Sequence, residues 1–173
     1  MGCDIHSYAE VRGASGWRKC GPIFDNPYKD YNIAGLDSEF SEEPLNRRNY
    51  GLFGWLADVR NYSGIEPLCL PKGLPVDTPQ KEDIENDWDY HSASYFTLAE
   101  LLAVDYNAPI EDLRYMKQTG PHSWNGGATA EPGQGKVMSL REFLPNEFFS
   151  SLKVLADLGM DPKDVRIIFY FDN

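Results

Sequence analysis

Cysteine and histidine are scarce in this chain, at three residues each, and no long apolar run is present. Cys3, Cys20 and Cys69 form neither an even framework nor a Cys-x-x-Cys pair. That excludes a disulfide scaffold and the ligand spacings of zinc fingers and zinc deaminases, and it suits a reducing compartment. No segment approaches the roughly 18 apolar residues of a membrane span, and the N-terminus lacks a basic start followed by an apolar stretch. The expectation is a soluble, cytoplasmic protein with no membrane partner. Met1-Gly2-Cys3 opens like a myristoylation signal, but His6 stands where that signal needs a hydroxyl. Basic residues are also few. Sixteen Lys and Arg face 27 Asp and Glu, and the net charge of −11 repels a phosphate backbone and argues against bulk nucleic-acid binding.

What is present suffices for a folded core. The chain has 173 residues, 42% hydrophobic and 13% aromatic, which predicts one globular domain over 1–173. Cys3, Ile5, Ser7, Ala9 and Val11 alternate with Asp4, His6, Tyr8 and Glu10, so a strand with one apolar and one chemically rich face opens the chain. Gly13 to Gly16 reads as a turn and Trp17 to Cys20 as the returning strand. Residues 23–44 show no period and predict a long structured loop. Leu52, Phe53, Leu56, Ala57 and Val59 form an apolar stripe that predicts a helix over 49–60. Thr78-Pro79 can start a short acidic surface helix, while Thr97-Leu98-Ala99-Glu100 and Ser139-Leu140-Arg141-Glu142 are capping boxes. Residues 106–117 carry a weak helical signal, and Gly120-Pro121 with the glycines of 125–136 predicts a mobile connection over 120–136. Phe148, Leu152, Leu155 and Leu158 mark the main amphipathic helix, with Gly159 as its stop. Val165, Ile167, Phe169 and Phe171 give a last strand that belongs inside a sheet. The sum is an α+β fold: a small mixed or antiparallel sheet, made of the N-terminal hairpin and the C-terminal strand, packed by several helices with long irregular loops.

Two of the three histidines lie in Asp-x-His pairs, Asp4-Ile5-His6 on the first strand and Asp89-Tyr90-His91 after an acidic run. Period two puts Asp4 and His6 on one strand face, roughly 7 Å apart along it, so both can reach one ion. If the two pairs converge, Asp4, His6, Asp89 and His91 are the ligands of a divalent cation (zinc, manganese or magnesium) that polarises a phosphoryl oxygen and activates water. His6 and His91 then serve as ligands or as general acid and base, and Arg48 as the clamp on an anion, with Arg48 and Asp58 supporting the site. Against this stands the plainer role of a strand histidine that hydrogen-bonds a neighbour. The metallophosphoesterase signature also opens on Asp-x-His, but it needs further histidines that three cannot supply. Cys3 falls on the face opposite His6, which disfavours a Cys-His dyad. His122 precedes Ser123-Trp124 in the Gly-rich region, either closing over a ligand or standing in solvent. From Asp77 to Asp112 ten acids meet one base, Lys81, so most of the negative charge is concentrated there, as a solvated surface or a rim that attracts cations.

Several motifs recur together along the chain. They are Gly2-Cys3-Asp4-Ile5-His6, Arg48-Asn49-Tyr50 with Leu52-Phe53, Gly73-Leu74-Pro75 and Asp89-x-His91-Ser92-x-Ser94. The Thr97 capping box and the closing Arg166-Ile167-Ile168-Phe169-Tyr170-Phe171-Asp172-Asn173 complete the set. With these motifs the chain resembles, over nearly its whole length, a family of uncharacterised proteins encoded by tailed bacteriophages and related mobile elements. Tyr95-Phe96 stands where that family leads one to expect Trp-Leu, and Tyr170 where it leads one to expect tryptophan; both swaps keep an aromatic ring. The resemblance carries no established activity. It implies a phage accessory protein acting in the cytoplasm of an infected bacterium. Two functions fit the residues. One is metal-dependent hydrolysis of a phosphate-containing small molecule. The other is a non-catalytic binding module that sequesters a nucleotide-like signal or docks on a host protein through its acidic 77–112 face.

Overall fold

The computed structural model describes residues 2–31, 33–35, 37–121 and 123–173, with 115–120 and 123–129 described as backbone. In chain order the strands are β1 (Asp4–Gly13), β2 (Gly16–Lys19), β3 (Phe24–Asp25), β4 (Phe40–Ser41), β5 (His91–Thr97), β6 (Pro109–Asp112), β7 (Arg114–Gly120), β8 (Ser123–Thr129), β9 (Lys136–Ser139) and β10 (Val165–Asp172). The helices are α1 (Tyr50–Ala57), α2 (Lys81–Glu85), α3 (Leu98–Leu102), α4 (Leu140–Phe143) and α5 (Asn146–Ala156). The fold is α+β, as its pattern of elements predicts. The residues gather into two compact units that interleave along the sequence: 1–48, 71–104 and 146–173 in the first, 49–70 and 105–145 in the second.

The first unit is built on an antiparallel sheet in the order β2-β1-β10-β5. Pairing runs from Asp4 opposite Asp172 to Val11 opposite Val165, so each face of β1 continues across β10. One face carries Cys3, Ile5, Ala9 and Val11 with Val165, Ile167, Phe169 and Phe171, all buried. α3 packs against β10 and α5, and Leu98, Leu101, Phe148, Leu152 and Leu155 add to this core. Its alternating pattern makes β10 the inner strand, buried from Val165 to Phe171. On the other face Ile84, Ala93, Ile168 and Tyr170 form a second cluster, with Tyr8, Leu74, Tyr90 and Tyr95 packed against it. Further along that face Glu10 and Arg166 are buried together at 2.8 Å, and Arg166 lies 3.8 Å above the Trp17 ring. Glu10 also accepts from the Thr78 hydroxyl. Thr78 is therefore turned inward, and α2 starts two residues later than Thr78-Pro79 suggests, with Gln80 at its N-cap. Nor is α2 only a surface element, because Ile84 is fully buried in the second cluster.

In the second unit Asn49 caps α1 by accepting from the Leu52 amide at 3.0 Å. Asp58, left-handed at φ 60°, ends the helix ahead of residue 60. Residues 106–117 are not helical: β6 pairs with β9, and β7 pairs with β8. The glycine-rich stretch is likewise not one long connection, since Ser123–Thr129 forms β8 and Gly120 opposite Ser123 closes the hairpin. Gly120-Pro121 marks the turn of that hairpin rather than the start of a loop. Among the described residues no helix is long and apolar enough to cross a membrane.

Candidate functional site

β1 presents Asp4 and His6 on the same face, as its period requires. Arg48, at the end of the segment that follows β4, donates to Asp4 through both arms of its fork, Nε to Oδ1 at 2.8 Å and Nη2 to Oδ2 at 2.6 Å. That pairing holds the Asp4 carboxyl below the usual carboxylate range. His6 sits between two carboxylates. Its Nδ1 is 3.7 Å from Glu43 Oε1, a charge pair, and its Nε2 is 3.0 Å from Asp172 Oδ2, a hydrogen bond. Glu43 and Asp172 together outweigh burial and raise the imidazole pKa to about 9, so His6 is an imidazolium at neutral pH. Its ring stacks on Tyr170, the residue opposite it on β10, with centroids 5.1 Å apart. Burial, with Tyr8, Asp87 and Glu43 nearby, pushes the Tyr170 phenol up. Asp172 also accepts from the Asp4 amide at 3.0 Å, binding the two strand ends together.

Sequence pattern leads to Asp4, His6 and Arg48, and the structure brings these three into one neighbourhood. Glu43 and Asp172, the two groups that fix the charge of His6, are absent from that reading. Asp172 could have been found by pairing the first and last strands end to end, whereas Glu43 comes from a stretch without period and left no signal.

The second Asp-x-His pair lies elsewhere. His91 is opposite Phe171 and stacks on it with centroids 6.0 Å apart. Because Tyr170 and Phe171 point to opposite faces of β10, His6 and His91 are on opposite sides of the sheet. A bulge in the β5–β10 pairing, with Ser92 at φ 51°, separates His91 from the regular register. His91 Nδ1 meets Ser92 Oγ at 2.9 Å, while its Nε2 is buried without a hydrogen-bond partner among the described residues. Asp89 belongs to the turn after α2. The expected convergence of Asp4, His6, Asp89 and His91 is therefore not what the register produces, and among the described residues no three His, Cys, Asp or Glu side chains are grouped to hold a metal ion. Asp58 belongs to the second unit, where its carboxylate accepts from Asn61 at 2.8 Å. His122 lies outside the described residues.

The acidic run 77–112 also divides. Asp77 bonds Arg166, and Glu100 closes the Thr97 capping box. In the second unit Glu111 accepts from the Gly133 and Gly135 amides and Asp112 pairs with Arg114. Asp77 and Glu100 stay exposed despite these bonds, as does Asp105, which accepts from the Asn107 amide; the densest exposed group is α2 and its turn, where Glu82, Asp83 and Glu85 are exposed and Asp87 and Asp89 partly so. Between the last two stands Trp88, 91% exposed. Val76, 93% exposed, precedes the same segment.

No family model, curated protein or solved structure matches the chain.

Proposed function

We propose that the chain is a non-catalytic binding module that docks through its 76–89 segment on a basic surface of a partner protein, a host protein if the chain is phage-encoded as its motifs suggest. The observation that carries this reading is Trp88, an indole left in solvent between Asp87 and Asp89, directly after the acidic outer face of α2. Tryptophan is among the residues that most often anchor interfaces, and the carboxylates around it steer a cation-rich partner. Two observations favour docking over hydrolysis. His6 and His91, expected to share one ion, lie on opposite sides of the sheet, and the Arg48 fork expected to clamp a phosphate is turned onto Asp4.

The test is a titration with a short peptide rich in arginine, lysine and leucine. Binding is expected to saturate and to weaken steeply with added salt. Trp88→Ala, which leaves the net charge unchanged, is expected to weaken it by roughly fivefold to thirtyfold, about 1–2 kcal/mol. Glu147→Gln, an exposed acid on α5, is the charge control and is expected to change it little. Equal affinity of Trp88→Ala and the parent chain contradicts the proposal.

A further inference from the structure

We infer that the cleft of the first unit walled by Asn26, Tyr28, Phe40 and Glu43 is a receptor for one arginine side chain, presented by the basic partner that the docking reading calls for and on which this inference rests. The cleft has a volume of about 220 Å³ and is lined by Asn26, Pro27, Tyr28, Phe40, Ser41 and Glu43, among others. That space suits a single long side chain better than a folded element.

The lining is preformed, because its amide groups are turned onto the loop's own backbone. Asn26 Nδ2 donates to Ser38 O at 2.6 Å, and Asn46 Nδ2 donates to Asp25 O at 2.9 Å and Glu43 O at 3.1 Å. Ser38 Oγ donates to Phe40 O, and Asn26 Oδ1 accepts from the Tyr28 amide. A ligand that needs amide donors, such as a phosphate, finds them engaged. What the cleft offers instead is aromatic surface and negative charge. Tyr28 and Phe40 are 46% and 47% exposed, and Tyr31, 68% exposed, meets Tyr28 edge to face. Such residues in the open are ready faces for a cation.

Acidic groups outnumber basic ones around the cleft. Asp30, Asp37 and Glu39 are exposed, and Glu43 lines the wall with a side chain still 36% exposed. The local base, Lys29, is paired with Asp25 at 2.9 Å and lies in the field of Asp30 and Glu39, which helps hold its ammonium charged. His6 stands behind Glu43 and offsets part of its charge, so the cation is held by the rings and by the surrounding acids as well as by Glu43. Guanidinium fits this set better than ammonium, since it is planar, stacks on aromatic faces and can take a carboxylate in a fork.

The experiment is an NMR titration of the full chain with N-acetyl-arginine methylamide, beside the lysine analogue and the uncharged citrulline analogue. The expected result is saturable shifts at the Tyr28 and Phe40 rings and the Gly35 amide with arginine, weaker ones with lysine, and none with citrulline. Tyr28→Ala and Phe40→Ala are each expected to weaken arginine binding about threefold to fivefold with unchanged circular dichroism, since both rings are half in solvent. Equal shifts from citrulline and arginine, stronger binding of lysine, or no saturable shift overturns the inference. Trp88→Ala separates the two claims. If the basic peptide binds through Trp88 while the arginine probe leaves the cleft unmoved, the cleft falls and the docking segment stands. If the probe binds in the cleft and Trp88→Ala leaves peptide affinity unchanged, the docking segment falls and the cleft stands.

Discussion

Glu43 and Asp172 hold His6 charged, and that gives the molecule a stability signature on the alkaline side of neutrality. The folded-state pKa of about 9 lies above the ordinary 6.5, so His6 stabilises the fold fully below about pH 6.5 and loses that contribution as pH rises through 9. A third of the ring side chain is in solvent, which screens the effect and keeps it small. The melting temperature of the parent chain is expected to fall more between pH 6.5 and 9 than that of His6→Gln; parallel pH profiles contradict the assignment. Larger consequences attend the buried pair on the same face. Glu10→Ala leaves Arg166 buried beside Trp17 with Asp77 as its remaining carboxylate, a change expected to cost roughly 3–5 kcal/mol by denaturant unfolding. Replacing both Glu10 and Arg166 with methionine should recover part of that loss. Period two alone showed that Asp4 and His6 share a face. It could not show that Arg48, read as an anion clamp, has its anion already in Asp4, because that contact joins residues 44 positions apart.

Among the elements, those with local signals were legible and those with distant partners were not. The two capping boxes form as the sequence writes them, since a Thr or Ser and a Glu three residues later need nothing from elsewhere. β1, β2 and β10 likewise follow from alternation and a glycine turn. The pairing of β6 with β9 brings Pro109 opposite Ser139 across an intervening hairpin, and nothing in the four residues of either strand announces it. In β8 the glycines that normally weaken a strand conceal one whose partner precedes it. α2 shows a third kind of failure. Its charge says surface, yet one residue, Ile84, is fully buried and fastens it to the sheet. Ile84→Ala is expected to destabilise the first unit by roughly 2–5 kcal/mol in denaturant unfolding. A change within 0.5 kcal/mol, typical of an exposed site, would return α2 to the surface.

At the level of the whole chain, composition anticipates a real core and the order of elements an α+β fold, and both units have buried apolar residues. Length alone could not show how the chain is divided, because it counts residues without regard to which ones touch. Nor does net charge locate a surface. Of the acids between Asp77 and Asp112, those bonded to Arg166, Arg114 and the Gly133 and Gly135 amides are engaged within their own units, whereas the group on α2 and its turn faces outward with the exposed Trp88 among it. The docking account rests on that group. Its most direct test is the hydrogen-exchange footprint of the full chain with and without the Arg/Lys/Leu peptide at low salt. The account predicts slowed exchange within 76–89, lost on adding salt and lost in Trp88→Ala. Slowed exchange confined to other segments, or a footprint over 76–89 that Trp88→Ala leaves intact, contradicts it.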